Sequence, residues 1–187
     1  LLTGLYGLNG WRSAAKLGLL LSAMVAWGGF HWIIYVAQNF GEMPLPLAIG
    51  LLMLFCTIAA PQMIAFLLLG NRLRQQVERL PLALRPIYWA GLYVALEYLA
   101  HFLKIFPENL GNTLVAFPSL AQLASVGGVP LLSFVPLFTG ACLFYVRKEG
   151  RRALPLLATA IMLILGAHFW GQAQRKKLAA APSEVLR

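Results

Sequence analysis

Apolar residues fall in five long, nearly unbroken runs over residues 17–37, 45–70, 87–103, 129–146 and 153–170, and charged, proline-rich or glycine-rich connectors separate them. A bilayer core about 30 Å thick takes roughly 20 mostly apolar residues per spanning helix, and the runs approach or exceed that length. They are continuous and rich in Leu, Ala and Phe. They do not alternate like the roughly ten-residue, period-two strands of a membrane barrel. The pattern predicts an all-α, polytopic membrane helix bundle with about five transmembrane spans, because backbone in lipid must satisfy its own hydrogen bonds. Pro61 and Pro136 should kink the second and fourth spans, since each removes an N–H and crowds the preceding turn. Pro155 opens the fifth span at a first turn, where proline is tolerated. Gly127-Gly128 ahead of Pro130 should detach residues 120–126 as a short interfacial or re-entrant segment. Residues 1–10 read as the end of an earlier helix, and no secretory signal pattern precedes the first span. No internal repeat is visible, so residues 1–187 read as one transmembrane helical domain.

Composition supports lipid as the solvent. Of 187 residues, 60% are hydrophobic and 11% charged, with a mean hydropathy of +0.74, whereas soluble domains carry about a quarter charged residues. Ten of the fifteen basic residues flank alternate connectors: Arg12 and Lys16; Arg72, Arg74, Arg79 and Arg85; Arg147, Lys148, Arg151 and Arg152. Cytoplasmic loops concentrate Lys and Arg, so this is the inner side. Residues 38–44 carry no base and residues 104–120 only Lys104, which marks the outer side. An odd number of spans then carries the tail outward with Arg175, Lys176, Lys177 and Arg187, against the rule. The net charge of +9 does not indicate nucleic acid, because its carriers sit at helix ends, where anionic headgroups account for them. Cys56 and Cys142 lie in apolar runs with no His or Lys within a turn, so neither thiol has evident activation. The sequence has no Walker loop, G-x-S-x-G, H-E-x-x-H or paired-cysteine metal spacing.

Polar residues inside the runs are the candidates for chemistry. Glu97 is the acid within a span, and an ionised side chain there costs about 2.5–3.5 kcal/mol on the insertion scale. The apolar residues of that span return roughly 2–4 kcal/mol, so the helix needs partners. Trp89, Tyr93, Glu97, His101 and Lys104 recur every three or four residues and share one face, expected to point into the bundle. The first span repeats the pattern with Trp27, His31, Tyr35 and Gln38. Two readings follow: a structural Glu97–His101 hydrogen-bonded pair, or a polar cavity open to the outer leaflet. Two other classes fit some of the same residues. Glu97 could serve a proton-coupled small transporter, or His31, His101 and His168 could ligate haem or a metal. The leading reading requires no cofactor and no metal.

The outer connectors complete the pattern. Phe30-His31-Trp32-Ile33 leads into Asn39-Phe40-Gly41-Glu42-Met43-Pro44. Glu97-Tyr98-Leu99 precedes Phe106-Pro107 and Leu110-Gly111-Asn112. Gln122-Leu123-Ala124, Gly127-Gly128-Val129 and Leu132-Ser133-Phe134 follow in order. In this succession the chain resembles the membrane domain of bacterial apolipoprotein N-acyltransferases over nearly its whole length. Where that family usually has Trp after Phe-Pro, this chain has Glu108. The resemblance implies an inner-membrane acyltransferase of lipoprotein maturation, moving an acyl chain from phospholipid to the α-amine of an N-terminal diacylglyceryl-cysteine. It further implies a nitrilase-like periplasmic domain, in cis or trans, whose Cys, Glu and Lys do the chemistry through a thioester. Residues 171–187 would then link the bundle to that domain. No catalytic residue is expected in the chain itself. Lipid and apolipoprotein are expected to meet His31, Trp32, Tyr35, Phe40, Met43, Pro44, Tyr93, Glu97, His101, Phe106, Pro107 and Asn112.

Overall fold

The computed structural model describes residues 1–102 and 109–180, and every regular element among them is helical. The chain runs through α1 (Leu2–Tyr6), α2 (Trp11–Phe30), α3 (Trp32–Asn39), α4 (Leu45–Ala59), α5 (Pro61–Glu78) and α6 (Leu84–Ala100). A 3-10 segment (Leu110–Ala116), α7 (Pro118–Ala121), α8 (Ala124–Glu149), a 3-10 turn (Gly150–Ala153) and α9 (Leu154–Ala180) follow.

Proline and glycine set the breaks, and two breaks are sharper than the sequence led us to expect. At Pro61 the second run does not kink but divides, with Ala60 at φ −131°, ψ 59° between α4 and α5. Proline then occupies a first helical position, where its missing N–H is one the helix leaves unbonded anyway. The first run also divides, at His31, where the Ile34 N–H bonds the His31 carbonyl at 3.1 Å. Gly127 (φ −130°) and Gly128 (φ 65°) leave helical geometry as the sequence indicates, the second adopting a left-handed φ that suits glycine. Pro136 lies within continuous helix.

These breaks correct the span count. Two helical stretches, Trp11–Phe30 and Ala124–Ala179, are long and apolar enough to cross a membrane, the second interrupted by the Gly150–Ala153 turn. The second run falls into pieces of 15 and 18 residues, the latter carrying Gln62, Asn71, Arg72 and Arg74, and α6 has only 17 residues.

The helices sort into two compact units. The first comprises Leu1–Pro81 with the part of α6 from Leu92. In it α2 packs on α4 and α5, so closely that a Cβ added to Gly18 would lie 2.8 Å from the Ile64 Cα. Phe30 meets Phe55 edge-on at 4.8 Å beside the buried Leu52. The Tyr6 hydroxyl donates to the Glu78 carboxylate, and Arg74 donates to the Leu8 carbonyl at 3.1 Å, fastening α1 and the turn after it to α5. The second unit comprises Leu82–Gly91 and the chain from Asn109. There α8 packs on the 3-10 segment and α9, and α7 lies against α9.

Candidate functional site

The expected site residues separate by environment. His31, Trp32 and Tyr35 lie on or beside α3, and all three are exposed, Tyr35 by 64%. Phe40, Met43 and Pro44 form the connector to α4 and are exposed as well, Phe40 by 80%. This connector is built, not loose. The Phe40 and Gly41 N–H groups bond the Val36 carbonyl at 2.9 and 3.4 Å, and Met43 N–H bonds the Ala37 carbonyl at 3.0 Å. The Asn39 side-chain amide donates to the Tyr35 carbonyl at 2.8 Å. Pro44, at φ −64° and ψ 147°, then turns the chain into α4. The stripe Trp27, His31, Tyr35 and Gln38 therefore faces outward, the reverse of the inward face expected for it.

On α6 the expected stripe does face inward. Trp89 and Tyr93 are buried, and Glu97 is 3% exposed. Tyr93 packs edge-on against Phe66 of α5 with ring centroids 5.5 Å apart. His101, one turn beyond Glu97, is exposed beside Phe102, so the acid and the imidazole occupy different surroundings. Lys104, Phe106, Pro107 and Glu108 lie outside the described residues. Asn112 is exposed on the 3-10 segment, its N–H on the Asn109 carbonyl at 3.0 Å. His168 pairs with Gln172 of its own helix at 2.8 Å. Among the described residues, no three or more His, Cys, Asp or Glu side chains gather as a metal-holding group.

Three buried contacts that sequence reading did not assign hold the second unit's framework. The Gly111 N–H donates to the Ser133 hydroxyl at 2.8 Å, tying the segment that presents Asn112 to α8. The Trp89 indole N–H donates to the Tyr145 hydroxyl at 3.0 Å. Arg85 reaches Glu149 at 3.6 Å and also lies over the Tyr145 ring. The residues involved were visible only as an aromatic stripe, short motifs and loop charges. Nothing local in sequence pairs positions 56 residues apart.

The arrangement offers exposed aromatic and apolar side chains beside a hydrogen-bonded connector and a buried acid on a neighbouring helix. Such a surface suits a lipid better than a soluble metabolite, since small-molecule sites converge polar groups in an enclosed pocket. The chain is 29% identical over 162 residues to the apolipoprotein N-acyltransferase of Geobacter metallireducens, a match covering 82% of this chain and 29% of that protein. It is 31% identical over 156 residues to the apolipoprotein N-acyltransferase of Bdellovibrio bacteriovorus, covering 79% of this chain and 28% of that protein. It thus spans less than a third of these curated relatives. No solved structure matches it significantly. The family model described as the apolipoprotein N-acyltransferase N-terminal domain matches residues 1–142, and the chain belongs to that family.

Proposed function

We propose that this chain is the lipid-handling membrane platform of an apolipoprotein N-acyltransferase in a bacterial inner membrane. It crosses five times, with its N-terminal end cytoplasmic and its C-terminal end periplasmic. Acyl transfer from phospholipid to the amine of a diacylglyceryl-cysteine is the work of a nitrilase-like domain, in cis or trans. The carrying observation is a surface turned inside out. Glu97 is 3% exposed, while Tyr35, Leu54, Met162 and Phe169 stand 64–65% exposed. Water would penalise that distribution, and hydrocarbon favours it.

In this reading α6 and α8 break or end near the outer leaflet, as α3 does, and the connectors between them form the entrance. His31, Trp32, Tyr35, Phe40, Met43 and Pro44 meet acyl chains arriving sideways. Tyr93 and Glu97 order the polar interior behind them. His101, Phe106, Pro107 and Asn112 present the ester to the domain above. The chain breaks no covalent bond by itself.

The test reconstitutes this chain with phospholipid and a diacylated peptide, beside the full-length parent. The parent should form triacylated peptide and this chain alone none, and product from the chain alone overturns the reading. In the parent, Tyr35→Ser with Phe40→Ser should slow transfer several-fold without lowering membrane accumulation. An unchanged rate removes those two residues from the entrance.

A further inference from the structure

We propose that the groove between α8 and α9 holds one acyl chain of an anionic membrane phospholipid, with the phosphate at Lys177. This deepens the platform reading, on which it rests, by giving the donor lipid a place and a headgroup class. The groove lies wholly within the second unit and is lined by Leu123, Leu131, Phe134, Leu163, Ala167 and Trp170. Its volume is about 330 Å³, room for on the order of ten water-sized groups. Water there would find no set of polar partners, whereas a run of methylenes would.

Three features shape it for a chain. Gly166 lines the groove, and a Cβ built on it would meet nothing within 4 Å, so the missing side chain leaves a slot. A side chain at Gly171 would collide with the Ser119 carbonyl oxygen, so α7 lies directly on α9 just beyond Trp170 and bounds the groove there. The lining positions 163, 166, 167 and 170 recur at helical spacing, and the same face of α9 continues to Gln174 and Lys177. At 1.5 Å per residue Lys177 stands about 10 Å along the helix from Trp170. Tryptophan sits at headgroup level and a lysine above it reaches phosphate, with Arg175 and Lys176 adding positive field. The bases that break the charge rule thereby gain a partner in the outer leaflet.

The chain is placed in phosphatidylcholine nanodiscs with a trace of phosphatidylglycerol or phosphatidylcholine carrying a diazirine at the acyl terminus. After illumination, labelled peptides are mapped by mass spectrometry. Phosphatidylglycerol should label residues 131–135 and 163–170 several-fold more than phosphatidylcholine does. Gly166→Phe should remove that excess while labelling of α2 stays the same, and Lys177→Glu should erase the headgroup preference. Uniform labelling of all helices, equal labelling by both lipids, or preferential labelling by a diazirine-bearing diacylglyceryl peptide overturns the proposal. If Gly166→Phe fails to fold, the wild-type ratio between the two lipids still decides. Transfer by the full-length parent is measured in parallel. Normal transfer with no groove labelling removes only the groove, and groove labelling without transfer removes only the platform reading.

Discussion

Gly111 gives its N–H to the buried hydroxyl of Ser133, and the two backbones lie so close that a Cβ on Gly111 would stand 2.7 Å from both the Leu132 Cβ and the Ser133 nitrogen. Only a residue without a side chain admits this approach. The 3-10 segment bearing Asn112 is thereby set on α8 at a fixed height.

The first prediction concerns that bond. Gly111→Ala should cost about 1–3 kcal/mol, because neither Leu132 nor Ser133 can yield without moving helix backbone. Ser133→Ala should cost a similar amount by leaving a buried N–H unbonded. Since both changes break one contact, the double variant should lose clearly less than the two single losses combined. Thermal unfolding in detergent measures all three, and full additivity would show the contact to be incidental.

Tyr145→Phe keeps the ring beneath Arg85 and Lys148 but removes the acceptor of the Trp89 indole N–H. The expected loss is about 1–3 kcal/mol, the desolvation cost of a buried donor. Tyr145→Leu should lose more, because the cation–ring contacts go as well. Equal losses would mean the hydroxyl is dispensable.

Glu97→Leu should act in opposite directions on insertion and on folding. As an isolated segment, α6 should insert more readily by about 3–4 kcal/mol, the difference between an ionised acid and leucine at mid-helix. In the folded chain the same change removes a buried polar group that interacts with its surroundings, and thermal stability should fall. A segment-insertion assay and an unfolding curve read the two effects separately. A stabilised folded chain would show that Glu97 serves insertion topology alone.

Much of the backbone plan was legible because it depends on local chemistry. Gly127-Gly128 interrupts α8 where the dipeptide said it would, and the Trp89, Tyr93 and Glu97 stripe turns inward as its spacing required. Pro61 was seen as a bend, yet it divides the helix, because a proline beside a non-helical Ala60 begins a new helix more easily than it distorts an old one. The stripe through Trp27, His31 and Tyr35 was misplaced for a different reason. Helical spacing shows that residues share a face but not what that face meets, and aromatic side chains are as comfortable against lipid as inside a bundle. The ties from Gly111 to Ser133 and from Trp89 to Tyr145 depend on tertiary approach, so no local pattern announces them.

The turn between α8 and α9 has a consequence for biogenesis. Gly150, at φ 64°, ends one helix, and Gly150–Ala153 delivers the chain to the next within four residues. So short a closure costs little chain entropy, and the pair can enter the bilayer as a helical hairpin while translation continues. The cleft between its arms is then complete once Ala180 has emerged, ready for lipid before anything encoded downstream has been made.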